Sequence, residues 1–60
     1  MSALVLVADP DPFTLRLLHE ACEAAGYDVV TAADGPDVLA MVARHPPDLL
    51  VLDAKMSEID

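Results

Sequence analysis

The sequence predicts an α/β fold built on a parallel sheet, and three observations carry that expectation. Leu4–Val7 and Leu49–Leu52 are short, wholly apolar runs, which read as strands buried on both faces. Two stretches between them repeat apolar residues at steps of three and four, the period of a helix face. A third strand-like stretch separates those helices, giving the order β-α-β-α-β. Helical crossovers between strands imply a parallel sheet with right-handed connections.

Each element has its own local reason. The first strand ends at Asp9-Pro10, and Asp11 followed by Pro12 suits the cap and first turn of a helix. Phe13, Leu17, Leu18, Ala21, Cys22 and Ala25 form the apolar side of that helix, with Arg16, His19, Glu20 and Glu23 mostly opposite. Gly26 stands where a left-handed C-cap belongs. Tyr27–Ala32 reads as the second strand, supported by Val29, Val30 and Thr31, and Asp28 marks it as an edge or partly exposed strand. Asp34 caps the second helix, with Val38, Leu39 and Val42 on the expected buried face, and Pro46-Pro47 ends it. Three strands and two helices leave one sheet edge open. Residues 1–60 are therefore expected to form the N-terminal part of a larger domain, or to be completed by a partner.

Composition narrows the function classes. The chain has 60 residues, and a domain of that size buries only about 60 % of its unfolded surface. Apolar residues nevertheless make up 55 %, which argues against a disordered tail. One cysteine excludes an internal disulfide framework and fits a reducing, cytoplasmic compartment. The net charge of -8 opposes binding of nucleic acid or anionic lipid through this segment. No apolar run approaches the length of a membrane span, and the N-terminus lacks a charged region of the signal-peptide kind.

The chemistry-bearing residues gather at strand ends. In open α/β sheets, sites form outside the carboxyl ends of the strands, where Asp9, Asp11 and Asp53 fall. Neighbouring strands lie about 4.8 Å apart, so carboxylates at matching ends can converge. Close carboxylates repel unless a cation lies among them or one is protonated. All-oxygen ligands suit Mg²⁺ or Mn²⁺, and a carboxylate beside such an ion can act as a nucleophile toward phosphorus. The plainer reading is that Asp and Pro after a strand serve as turn and cap residues. It fits Asp11 and Asp9 as well as a site does. It fits Asp53 less well, because no helix start follows it.

Three segments together resemble the receiver domain of bacterial response regulators. Leu4–Arg16 is similar to that family's first strand, acidic loop and first helix. Gly26–Gly35 resembles its second strand and the turn into the second helix. Pro47–Met56 resembles its third strand with the phospho-acceptor aspartate and the methionine three residues later. The likeness implies a partial flavodoxin-like, doubly wound sheet and a non-enzymatic, cytoplasmic phosphoprotein of a two-component phosphorelay. By position, Asp53 would accept the phosphoryl group as a 4-aspartylphosphate. Asp9 and Asp53 would help hold Mg²⁺, Lys55 would lend its backbone carbonyl to the ion, and Met56 would be structural. The implied partners are a histidine kinase or phosphotransfer protein, and a second receiver in a homodimer. The family's hydroxyl residue and lysine, on its fourth and fifth strands, have no counterpart in these residues.

Two departures from the pattern bear on the expected chemistry. The second acidic position of the first loop is Pro10, which has no side-chain oxygen, and Asp11 could replace it as a metal ligand only if the loop shifts by a residue. Ser57 stands where a proline commonly follows the methionine. Pro10 motivates an alternative in which the chain is a degenerate receiver, binding a partner irrespective of phosphorylation. A further alternative is a haloacid-dehalogenase-like phosphohydrolase. Asp9-Pro10-Asp11 fits its paired aspartates, but Thr14 falls one position too far and Asp53 is left unexplained. His19, His45, Glu20, Glu23 and Asp37 read as solvated surface, and Cys22 as packing.

Overall fold

The computed structural model describes residues 2–52. Their order is β1 (Leu4–Ala8), α1 (Pro12–Ala24), β2 (Asp28–Ala32), α2 (Gly35–Arg44) and β3 (Leu49–Leu52). The strands form one parallel sheet in the order β2-β1-β3. The fold is thus the expected α/β architecture, a partial flavodoxin-like sheet. β1 runs one residue further than its apolar core, to Ala8, and β2 begins at Asp28 rather than Tyr27.

Because β2 and β3 flank β1 on opposite sides, two right-handed crossovers place their helices on opposite faces. The packing agrees. Leu6 and Ala8 of β1 lie beside Val30 and Ala32 of β2. These four meet Val38 and Met41 of α2 in the core cluster. Strand alternation turns Val5 and Val7 to the other face, where α1 packs on β1 and β2. Val5, Leu6 and Val7 are all essentially inaccessible to solvent. Each such buried side chain contributes about 1.5–3 kcal/mol.

Both helices start on aspartates. The Asp11 carboxylate accepts from the Phe13 N–H at 3.2 Å, and the Asp34 carboxylate accepts from the Asp37 N–H at 2.8 Å. Pro12 and Pro36 occupy early helical positions, where a missing N–H costs nothing. α1 ends in a Schellman arrangement: the Gly26 N–H donates to Glu23 O at 3.0 Å, and the Tyr27 N–H to Cys22 O at 3.1 Å. Gly26 has φ +96°, and a Cβ added there would meet nothing within 4 Å. Its requirement is conformational, not spatial. Gly26→Ala should therefore lower stability by about 1–2 kcal/mol, read as a shift in the urea midpoint at unchanged slope.

Three expectations about burial need correcting. On α1 the half-buried residues are Thr14, Leu15, Leu18, His19 and Cys22, whereas Phe13 and Leu17 are exposed at 67 % and 52 %. The apolar stripe is wider than the arc the sheet covers. On α2 Val38 is buried and Met41 half-buried, while Leu39 and Val42 face out. β3 is not covered on both faces: Leu49, Leu50 and Leu52 are 56 %, 41 % and 38 % exposed. The physical reason is shared, since both helices pack chiefly on β1 and β2. Among the described residues β2 is an edge strand, as Asp28 suggested, and β3 is the other. Among the described residues no helix is long and apolar enough to cross a membrane.

Candidate functional site

The chain leaves β1 for β2 on one side and returns past β1 to reach β3 on the other. The carboxyl end of β1 beside β3 is therefore the point where strand order reverses, the usual place for a site in such sheets. The register there is level, with Ala8 opposite Leu52 and Ala32. Asp9 follows Ala8 directly. Its N–H donates to Ala32 O at 3.2 Å, which carries the ladder one residue beyond the strand.

The Asp9 side chain turns along its own loop. Oδ1 accepts from the Asp11 N–H at 2.8 Å, a local turn of the kind aspartate favours. Oδ2 has no hydrogen-bond partner among the described residues. Asp9 is partly buried, and Pro10 and Asp11 are exposed. Asp53 and Lys55, the expected phospho-acceptor and carbonyl ligand, lie outside the described residues, as does Met56.

Asp11 is fully engaged in capping. Oδ1 accepts from the Phe13 N–H, and Oδ2 accepts from the Thr14 hydroxyl at 2.8 Å. The Thr14 hydroxyl, then the Phe13 N–H, hold its carboxyl below the usual carboxylate range. A depressed pKa means that the capping contribution is full above the ordinary carboxylate value. It is lost as pH falls through the lowered one. The helical circular dichroism of α1 should accordingly weaken with acid, and Asp11→Asn, which caps without titrating, should remove that component.

Two residues that sequence reading missed shape the strand ends. Thr14 ties down Asp11, and its position three after a cap residue was the available signal. Asp48 works at the opposite end of the sheet, where its Oδ2 accepts from the Leu4 N–H at 2.7 Å while its own N–H donates to Leu4 O at 2.8 Å. No local signal announces a partner 44 residues away. The surface pairs are ordinary. Arg16–Glu20 at 3.6 Å, exposed, and His19–Glu23 at 3.5 Å, with a half-buried imidazole, are i,i+4 neighbours on α1 that add little. His45 is exposed, as expected, whereas His19 is half-buried.

The family model for the response regulator receiver domain matches residues 5–60. The chain belongs to that family. Receivers are signalling modules of two-component systems, generally without enzymatic activity of their own, and generally bind Mg²⁺ in phosphorylation. Among curated relatives, the response regulator PleD of Caulobacter vibrioides is 47 % identical over 60 residues, 100 % of this chain and 13 % of that protein. The alkaline phosphatase synthesis transcriptional regulatory protein PhoP of Bacillus subtilis is 38 % identical over the same length, 25 % of PhoP. The transcriptional regulatory protein KdpE of Mycobacterium tuberculosis is 41 % identical over 56 residues, 93 % of this receiver and 25 % of KdpE. This receiver chain thus spans a quarter or less of each of these relatives. Membership replaces the haloacid-dehalogenase alternative, whose paired-aspartate loop is here a turn and a helix cap.

In the described loop Asp9 has one carboxylate oxygen without a hydrogen-bond partner that a divalent cation could take, Pro10 has no side-chain oxygen, and each oxygen of Asp11 accepts a bond at the start of α1. Among the described residues no group of three or more His, Cys, Asp or Glu side chains is placed to hold a metal ion.

Proposed function

We propose that this receiver accepts a phosphoryl group on Asp53 from the phosphohistidine of a histidine kinase or phosphotransfer protein. The supporting observation is the level register of β1 and β3, with Ala8 beside Leu52 and an aspartate next in sequence on each strand. A carboxylate oxygen of Asp53 attacks phosphorus as the bond to the imidazole nitrogen breaks, and the imidazole keeps the electron pair. Bound Mg²⁺ would neutralise charge on the transferring group. Asp9, through Oδ2, a carboxylate oxygen of Asp53 and the Lys55 carbonyl would be its ligands in this segment.

The same reading takes residues 1–60 as the N-terminal part of a receiver in a cytoplasmic regulator. The exposed leucines on both faces of β3 support further packing there. A second receiver is a candidate partner alongside the kinase. The test is incubation of the intact protein with a small phosphodonor and Mg²⁺, followed by peptide mapping. The expected result is a single acyl phosphate, labile in acid and in base and released by hydroxylamine, on the peptide that contains Asp53. Absence of the label, or a label elsewhere, would refute the assignment. A phosphorylation-independent docking module is the second reading, favoured by Pro10 and by the capping of Asp11. Full cellular output from Asp53→Ala would select it.

A further inference from the structure

The three loop positions after β1 raise the question of which oxygen atoms remain for a cation. Asp9 spends Oδ1 on the Asp11 N–H. Pro10 contributes no side-chain oxygen. Asp11 spends Oδ1 on the Phe13 N–H and Oδ2 on the Thr14 hydroxyl. To turn Asp11 toward the strand ends, the chain would have to give up both bonds that begin α1, and with them the first turn that Pro12 shapes. The loop is fixed from its other end too, because the Asp9 N–H is held by Ala32 O at 3.2 Å.

We propose that Asp11 is held out of the cation site by its capping bonds, so that Asp9 is the sole carboxylate the β1–α1 loop offers a divalent ion. Pro10 is then an affinity-setting position: it fixes the chain between a ligand and a cap, and withholds a second carboxylate. Cation affinity at oxygen sites follows ligand charge and number. This receiver should consequently bind Mg²⁺ weakly, and a single added carboxylate at position 10 should tighten it. The proposal rests on the reading of this strand end as a phosphoryl-acceptor site.

The test is direct binding of Mg²⁺ and Mn²⁺ to the intact protein, by calorimetry and by loss of the free Mn²⁺ resonance signal, with helicity checked by circular dichroism. Asp11→Asn and Asp11→Ser both retain a capping side chain and remove the carboxylate. Both are expected to bind within about twofold of the unmodified protein, while Asp9→Asn weakens and Pro10→Asp tightens binding by about tenfold. Weakening in both Asp11 variants that matches Asp9→Asn overturns the proposal. So does a Pro10→Asp protein that binds no more tightly, or an Asp9→Asn protein that binds as well as the unmodified one. Phosphoryl labelling of Asp53 is read separately, so a failure of the acceptor reading shows there and not in the metal titration.

Discussion

Replacing Leu6 by alanine is expected to lower the unfolding free energy of this receiver by about 2–5 kcal/mol. Leu6 is fully inaccessible in the middle of the central strand, flanked by Val30 and Leu50 and facing the α2 core cluster. Deleting its isobutyl group loses the transfer free energy and leaves a cavity among neighbours held by the sheet ladder. Typical domains are stable by only about 5–15 kcal/mol, so this one change takes a large share. Leu39→Ala is the matched control, since Leu39 is 51 % exposed and surface changes stay within about 0.5 kcal/mol. Urea unfolding of both variants checks the pair. Equal destabilisation would mean that the core is not where the burial pattern places it.

The second large effect is chemical. Asp53→Asn should reduce phosphodonor labelling to background, because a neutral amide is no nucleophile toward phosphorus. The informative control is Asp48→Asn, at the other end of the same strand. Asparagine retains an oxygen to accept from the Leu4 N–H, so the strand stays anchored and labelling should persist. Persistent labelling of the Asp53→Asn protein would move the acceptor elsewhere. Loss in both variants would point to a disturbed sheet rather than a lost nucleophile.

Much of this fold was legible because local and global signals agree. The apolar runs, the aspartate caps and Gly26 each state their structure within a few residues, and the resulting order of elements leaves few topologies. What was not legible is how far the helices reach. Phe13 and Leu17 fit the helical period as well as Leu18 and Cys22 do, yet only tertiary packing decides which arc of α1 the sheet covers. β3 misled for the same reason: its four apolar residues match those of β1, but burial depends on covering layers rather than on the strand itself.

The site divides similarly. Asp9 at a strand end was readable, and so was the absence of an oxygen at Pro10. Whether Asp11 was a cap or a ligand turned on atoms that spacing leaves undetermined. The Thr14 hydroxyl and the Phe13 N–H show it capping α1. Asp48 was invisible because its partner is distant in sequence. For Asp53 and Lys55 the sequence pattern and the family membership remain the support.

The Asp48 anchor has a mechanical meaning. Two bonds to Leu4, one from each strand's amide, fix the height at which β3 enters the sheet. A strand climbs about 3.3 Å per residue, and a slip of one residue would also exchange its two faces. With the lower rung pinned, the rise of four residues alone sets the level at which β3 leaves the sheet beside Ala8. Asp48 thus acts as the zero mark of a molecular ruler. Its reading is taken at the far end, where Ala8 and Leu52 stand level and an aspartate follows each of them in sequence.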